Sequence, residues 1–341
     1  MNEVSLKKER KTWIDALRSL AIIIMVFANS AAYFLSDDVN VHFRIFSSLA
    51  APLFIFLAGV SLSFSNGAPL KKFLVRGGCL LLTASLIDLF AWKILPFETF
   101  DVLYLISFGI VLCGLIQYGW KADLSIGVAF IVLSFFVRAS YNFEMTESQF
   151  LINEFSYQSN FKEILKRAFI DGWFPLFPWI GFMFLGRALF PNLERLNSRI
   201  LFWSNLIIFI ALFFIIKQSA INPIRTNYIE IFYPVRELYL LLSVSFILLA
   251  IELSKKLVVN WYGVMTYTSI GRKSLFVYML HCFFTSYLAD LFPVKEIEGF
   301  VIFCFAQLIF LYSMAWVVER GSVARLISKF PIPLQRVMGL K

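Results

Sequence analysis

Asp15 and Arg18 stand three residues apart at the start of the apolar run WIDALRSLAIIIMVFANSAAYF, residues 13–34, and Asn29 stands near its far end. On a helix, positions i and i+3 share a face, so the carboxylate can orient the guanidinium. A guanidinium held in that way suits the phosphate of a cytosolic cofactor; a mutual salt bridge that only seats the helix is the plainer use of the pair. Asn29 follows Arg18 at a distance of roughly 16 Å along a helix rising about 1.5 Å per residue. Its amide, near the far end of the span, can glue helices together. His42 comes next, in the loop SDDVNVHFR. Loop histidines are commonly just solvated, yet an imidazole here can also take a proton from an incoming amine or hydroxyl.

Two further ionisable groups fall inside apolar runs. His281, in GRKSLFVYMLHCFF, lies about 12 Å past Lys273 along a helix. It reads either as a neutral core residue or as part of the path of a transferred group. Asp88, in LLTASLIDLFAW, costs several kcal/mol at membrane depth unless it is paired, hydrated or protonated, and no partner for it is legible. The segment DGWFPLFPWIGFMFLGR carries Pro175, Pro178, Gly181 and Gly186, which predict a bent helix, with Trp179 and its aromatic neighbours anchoring the membrane interface.

The elements that must hold these groups are membrane helices. Apolar residues make up 60% of the chain and charged ones 16%, and 40 phenylalanines in 341 residues would leave a water-facing surface prone to aggregation. A hydrocarbon core of about 30 Å needs about 20 helical residues. Apolar windows of that kind predict ten spans, at 12–34, 43–65, 73–94, 101–119, 122–138, 169–190, 199–217, 234–253, 273–292 and 297–318. The runs are continuous and lack the two-residue alternation of a membrane β-barrel. The expected fold is therefore an all-α polytopic bundle of about ten transmembrane helices, forming one domain over 1–341. The first span has no small-residue cleavage site after it and is expected to be retained.

Charge orients the bundle. Of the 31 lysines and arginines, 20 fall on the N-terminal side of the predicted membrane, which places a basic N-terminus (1–11) and a basic tail (319–341) in the cytoplasm. The longest polar stretch, 139–168, then lies outside, as a lid, an acceptor platform or an ordinary loop. The net charge of +9 follows this topology and attraction to anionic lipid heads, so the bilayer is the expected partner and nucleic acid is not. Cys79, Cys113, Cys282 and Cys304 sit in apolar segments without C-x-x-C spacing, and the chain has only two histidines. Neither a disulfide frame nor a metal site is expected.

In order along the chain, IDALRSLAIIIMVFAN, APLFIFLAGVSLSFS, DVLYLISFGIVL, FPLFPWIGFMFLGR and GRKSLFVYMLH together resemble the heparan-alpha-glucosaminide N-acetyltransferase-like family of membrane proteins. The resemblance covers most of the chain. It implies a multi-helix acyltransferase that takes acetyl from cytosolic acetyl-CoA and delivers it to an amine or hydroxyl of a sugar or glycolipid beyond the membrane. It also implies catalytic roles for His42, Asn29 and His281, with Arg18 and Asp15 at the CoA phosphates. Ser19 departs from the glycine that usually follows the family's arginine, and the interval around His42 aligns only with small gaps. Acetyl-CoA is expected as donor substrate, and the plasma (inner) membrane of a prokaryote as location; a homodimer is left open. A transporter or exporter of a lipid-linked or small polar substrate, working without acyl transfer, is the alternative from a different class. A non-catalytic scaffold whose polar groups only fasten helices is a third.

Overall fold

The computed structural model of the protein describes residues 11–35, 40–140, 160–193, 199–218, 235–260, 264–292 and 296–340. Most of the predicted outer loop, 141–159, lies outside the described residues, as does the N-terminal segment 1–10. Among the described residues there is no strand. Helix α1 covers Thr12–Phe34, α2 Val41–Ser47 and α3 Ala50–Ser63. Asn40 caps α2 by accepting from the backbone N–H of His42. Helix α4, Leu70–Ile87, starts after Pro69 and runs on through a wide π-type turn, Asp88–Trp92, that ends where Lys93 adopts a left-handed conformation. Helix α5, Val102–Leu115, is capped by Asp101, and α6 spans Trp120–Ser140.

From residue 160 on, α7 (Phe161–Lys166) opens with a reciprocal capping box between Asn160 and Glu163. Then follow α8 (Leu176–Leu193), α9 (Arg199–Gln218), α10 (Glu237–Asn260), α11 (Val264–Arg272), α12 (Ser274–Leu288) and α13 (Ile297–Glu319). Two short helices close the chain, α14 (Gly321–Ile327) and α15 (Ile332–Val337).

Among the described residues, seven helices are long and apolar enough to cross a bilayer, and an eighth span is obtained if Phe161–Asp171 and Leu176–Pro191, bent by 50°, are taken together. The two remaining predicted windows correspond to shorter apolar helices, Val102–Leu115 and Phe202–Lys217. The bend falls in the proline-rich segment, as the sequence predicts. Trp179 does not anchor an interface, however. It is fully buried, packed on Phe174, Phe182 and Tyr239.

Close helix approach replaces the hydrophobic drive that lipid cannot supply. Helices α3 and α8 touch backbone to backbone, with Gly59 facing the Met183 carbonyl and Gly186 facing that of Phe56. Helix α1 lies centrally, against α3, α10, α11, α12 and α13. Its inner half meets α11 where Gly271 abuts the Asp15 carbonyl, so closely that any Cβ would collide. Ser19, at the position where the resembled family has glycine, stitches this contact: its hydroxyl donates to the carbonyl of Tyr267 and accepts from the backbone N–H of Gly271. Two buried apolar clusters result, and Met25 of α1 and Phe54 of α3 pack against both.

One charged pair is buried deep in the bundle. Arg187 of α8, counted by its loop-flanking position as a topology signal, is only 2% exposed. It makes a two-pronged contact with Asp123 of α6 and donates to the carbonyls of Cys113 and Ile116 at the end of α5. Each guanidinium nitrogen has an acceptor, which is the condition under which a buried ion pair is tolerated. Arg187→Ala is expected to lower stability by about 3–5 kcal/mol, because it strands a buried carboxylate. The double replacement Asp123→Leu with Arg187→Met should recover most of that loss; unfolding in mild detergent measures both. Gly271→Val should likewise lower the unfolding midpoint, by forcing α11 off α1.

Candidate functional site

The polar groups of α1 divide into a set near its N-terminus and a set near its C-terminal end. In the first set, Arg18 donates to Asp15 Oδ1 at 2.9 Å and to Ser61 Oγ of α3 at 2.6 Å. The Asp15 side chain is 4% exposed and that of Arg18 23%, so the carboxylate is sealed while the guanidinium is partly exposed. Arg272 lies near enough to Asp15 to feel its charge, and it is held mainly by Glu319 through two hydrogen bonds, with Thr268 accepting a third. Glu319 pushes the pKa of Arg272 up from its ordinary value, first by accepting these bonds and then by its charge.

Eleven residues on, at 100° per residue, Asn29 points within about 20° of Arg18's direction, so the two share one face of α1. Asn29 donates through Nδ2 to His281 Nε2 of α12 at 3.0 Å. With Nε2 accepting, the ring proton sits on Nδ1, and this buried atom has no hydrogen-bond partner. His281 is itself fully buried. Its surroundings are over-determined: the next residue of α1, Ser30, donates to Gln307 of α13, and Gln307 donates to the His281 carbonyl and to Thr285 Oγ1. A single amide thus locks α1, α12 and α13 around the imidazole.

One turn before His281, Tyr278 donates to Asp101 Oδ2 at 2.8 Å, and its ring centroid lies 6.0 Å from that of His281. Asp88, whose partner the sequence did not disclose, accepts from Tyr104 Oη at 2.6 Å. Both carboxylates therefore meet a phenol from another helix. Gln307 was findable in sequence, as the one amide in the apolar run of α13. Tyr104 and Tyr278 were not, because an aromatic in a span looks like packing.

His42 is placed apart from this pair. Its Nδ1 lies 2.7 Å from Asn40 Oδ1, and its ring stacks on Phe213 of α9. That Asn40 oxygen already accepts from the His42 backbone N–H, so it is an acceptor and the ring must donate to it through Nδ1. Nε2 is then the basic nitrogen of this half-buried ring. The structure brings Asn29 to His281, and Asp15 to Arg18. It seats His42 with Asn40 and Phe213.

Cys79, Cys113, Cys282 and Cys304 are free thiols, and among the described residues no three His, Cys, Asp or Glu side chains cluster as metal ligands would.

The chain matches the family model described as heparan-alpha-glucosaminide N-acetyltransferase, catalytic, over residues 10–222. That stretch holds Asp15, Arg18, Asn29, His42 and Asp88; His281 and Gln307 lie beyond it. No curated protein matches the chain. With well over half of its 341 residues matched and the all-helical membrane architecture described above, the chain belongs to the heparan-alpha-glucosaminide N-acetyltransferase catalytic family.

Proposed function

We propose that the protein moves an acetyl or related acyl group from acetyl-CoA at the inner mouth to an amine or hydroxyl of a sugar or glycolipid at the outer side. The observation that carries this reading is that one face of α1 bears both the Arg18–Asp15 pair and, about 16 Å away, the Asn29 that holds His281. Arg18, steadied by Asp15 and Ser61, would grip a phosphate of the donor, whose long pantetheine arm reaches toward Asn29. The Nδ1–H of His281 is a buried donor with no acceptor, an arrangement that ordinarily costs about 1–3 kcal/mol. A thioester carbonyl gathering negative charge satisfies it, and Asn29 sets the tautomer that makes it a donor.

The acceptor's lone pair forms the new C–N or C–O bond as the C–S bond to CoA breaks. The acceptor's proton passes to a base and finally to the departing thiolate. His42 is the base this reading assigns, because Asn40 leaves its Nε2 lone pair available. Capture of the acyl group by that nitrogen before transfer uses the same geometry.

Labelled acetyl-CoA supplied to protein in lipid nanodiscs, with amino-sugar and hydroxyl acceptors, tests the reading. His281→Ala is expected to lower transfer by about 10²–10³-fold, the range for losing one fixed donor. His42→Ala is expected to lower it by about 10²–10⁴-fold, the range for losing a general base. His42→Ala, at a half-buried ring, should unfold within a few degrees of the parent, whereas His281→Ala leaves the Asn29 amide without its acceptor, so its rate is read on protein shown to be folded. Full activity in His42→Ala would remove that residue from the chemistry and leave the Asn29–His281 pair. Substrate flux across proteoliposomes without any labelled product would favour the transporter reading instead.

A further inference from the structure

Beyond the matched region, the chain returns to the inner mouth. Residues 331–340, which include α15, dock on α4 and on the start of α12. Thr83 Oγ1 donates to the Val337 carbonyl at 2.8 Å, Cys79 Sγ lies 3.9 Å from that of Pro333, and Lys273 Nζ donates to that of Leu340 at 2.8 Å. Gly339 lies against the backbone of Leu275 and Phe276, where a Cβ could not fit. Arg76 precedes Cys79 by one turn on the α4 face that receives this segment, and Arg336 precedes Val337 within it. The positive charges of both Arg18 and Arg336 act on Arg76.

Depth agrees with this convergence. Arg18 and Arg76 each lie six residues into a span that starts at the inner side, about 9 Å along its helix. Three guanidinium groups from α1, α4 and the C-terminal segment thus gather in one region. Asp15 is taken up by Arg18, and Glu319 by Arg272. Among the described residues, neither Arg76 nor Arg336 has an acidic partner, and Arg76 stays accessible while Arg336 is half-buried. Like charges held together at the edge of a low-dielectric medium repel, and a bound polyanion relieves that cost.

We infer that Arg76 and Arg336, beside Arg18, form the subsite for the clustered phosphate esters of the donor, so that the C-terminal segment builds part of the binding site. This rests on the reading that the donor is an acyl-CoA. Phosphate esters can come from CoA or from anionic lipid heads, and the inference commits to the soluble donor.

The test compares acetyl-CoA with acetyl-pantetheine, a thioester lacking phosphates, as donors for the parent, Arg76→Gln, Arg336→Gln and Arg336→Lys in nanodiscs. Each glutamine variant is expected to raise KM for acetyl-CoA about tenfold, the loss of one charge-assisted hydrogen bond. KM for acetyl-pantetheine should move less than twofold, and Arg336→Lys should recover part of the loss. Unchanged acetyl-CoA KM in both glutamine variants, or equal losses with both donors, would overturn the inference. Retention of phosphatidylglycerol separates the two phosphate sources: variants that lose bound lipid while keeping the parental KM would assign the cluster to lipid heads and overturn it too. Should the parent transfer nothing, calorimetry with inorganic pyrophosphate decides. Binding that the glutamine variants weaken upholds an anion site while the transferase reading falls, and no binding by the parent ends both.

Discussion

Hydrocarbon offers no hydrogen-bond partner, so every polar group inside this bundle has to find one on another helix or hold a ligand. That constraint organises the structure. Asp88 meets Tyr104, Asp101 meets Tyr278, Ser30 and Thr285 meet Gln307, and Arg187 meets Asp123 with two carbonyls besides. Against this background of completed pairs, the Nδ1 of His281 is one of the few buried side-chain atoms without a hydrogen-bond partner, and its ring is held by Asn29 on the α1 face that also carries Arg18.

The same constraint explains why α1 is packed on so many sides. A helix bearing a carboxylate, a guanidinium and an amide cannot face lipid, and its neighbours approach through small contacts such as Gly271 and Ser19. The serine that departs from the family's usual glycine adds bonds to α11 that a glycine would lack. Met25 sits between Arg18 and Asn29, on the seam where the two apolar clusters meet. An unbranched thioether adapts its shape there more readily than a β-branched residue would.

How much of this was readable from the residues alone depended on whether the physics was local. Span positions were legible, since hydropathy is a property of neighbouring residues, and a helix lies in each predicted window. Lengths were not: residues 101–119 promised a full span, but Ile116 leaves the helix after Leu115. The Asp15–Arg18 pair was legible because three residues separate its members. Asn29 and His281, 252 residues apart, became one unit only through folding. Arg187 looked like a loop charge because it neighbours a loop, whereas the α5 carbonyls that receive it carry no mark in the sequence. Trp179 looked interfacial for the same reason. The tail's return to α4 was illegible too, as nothing in IPLQRVMGL names Thr83 or Lys273 as its seat.

Asn40 closes the matter of His42 in a mechanical sense. One side-chain oxygen grips both the ring and the main chain of the same residue while it also caps the first turn of α2. Swinging that imidazole away would free the oxygen's second bond without loosening the first, so the ring has a hinge with a built-in stop. Its aim is set by the start of α2 and by the Phe213 ring of α9.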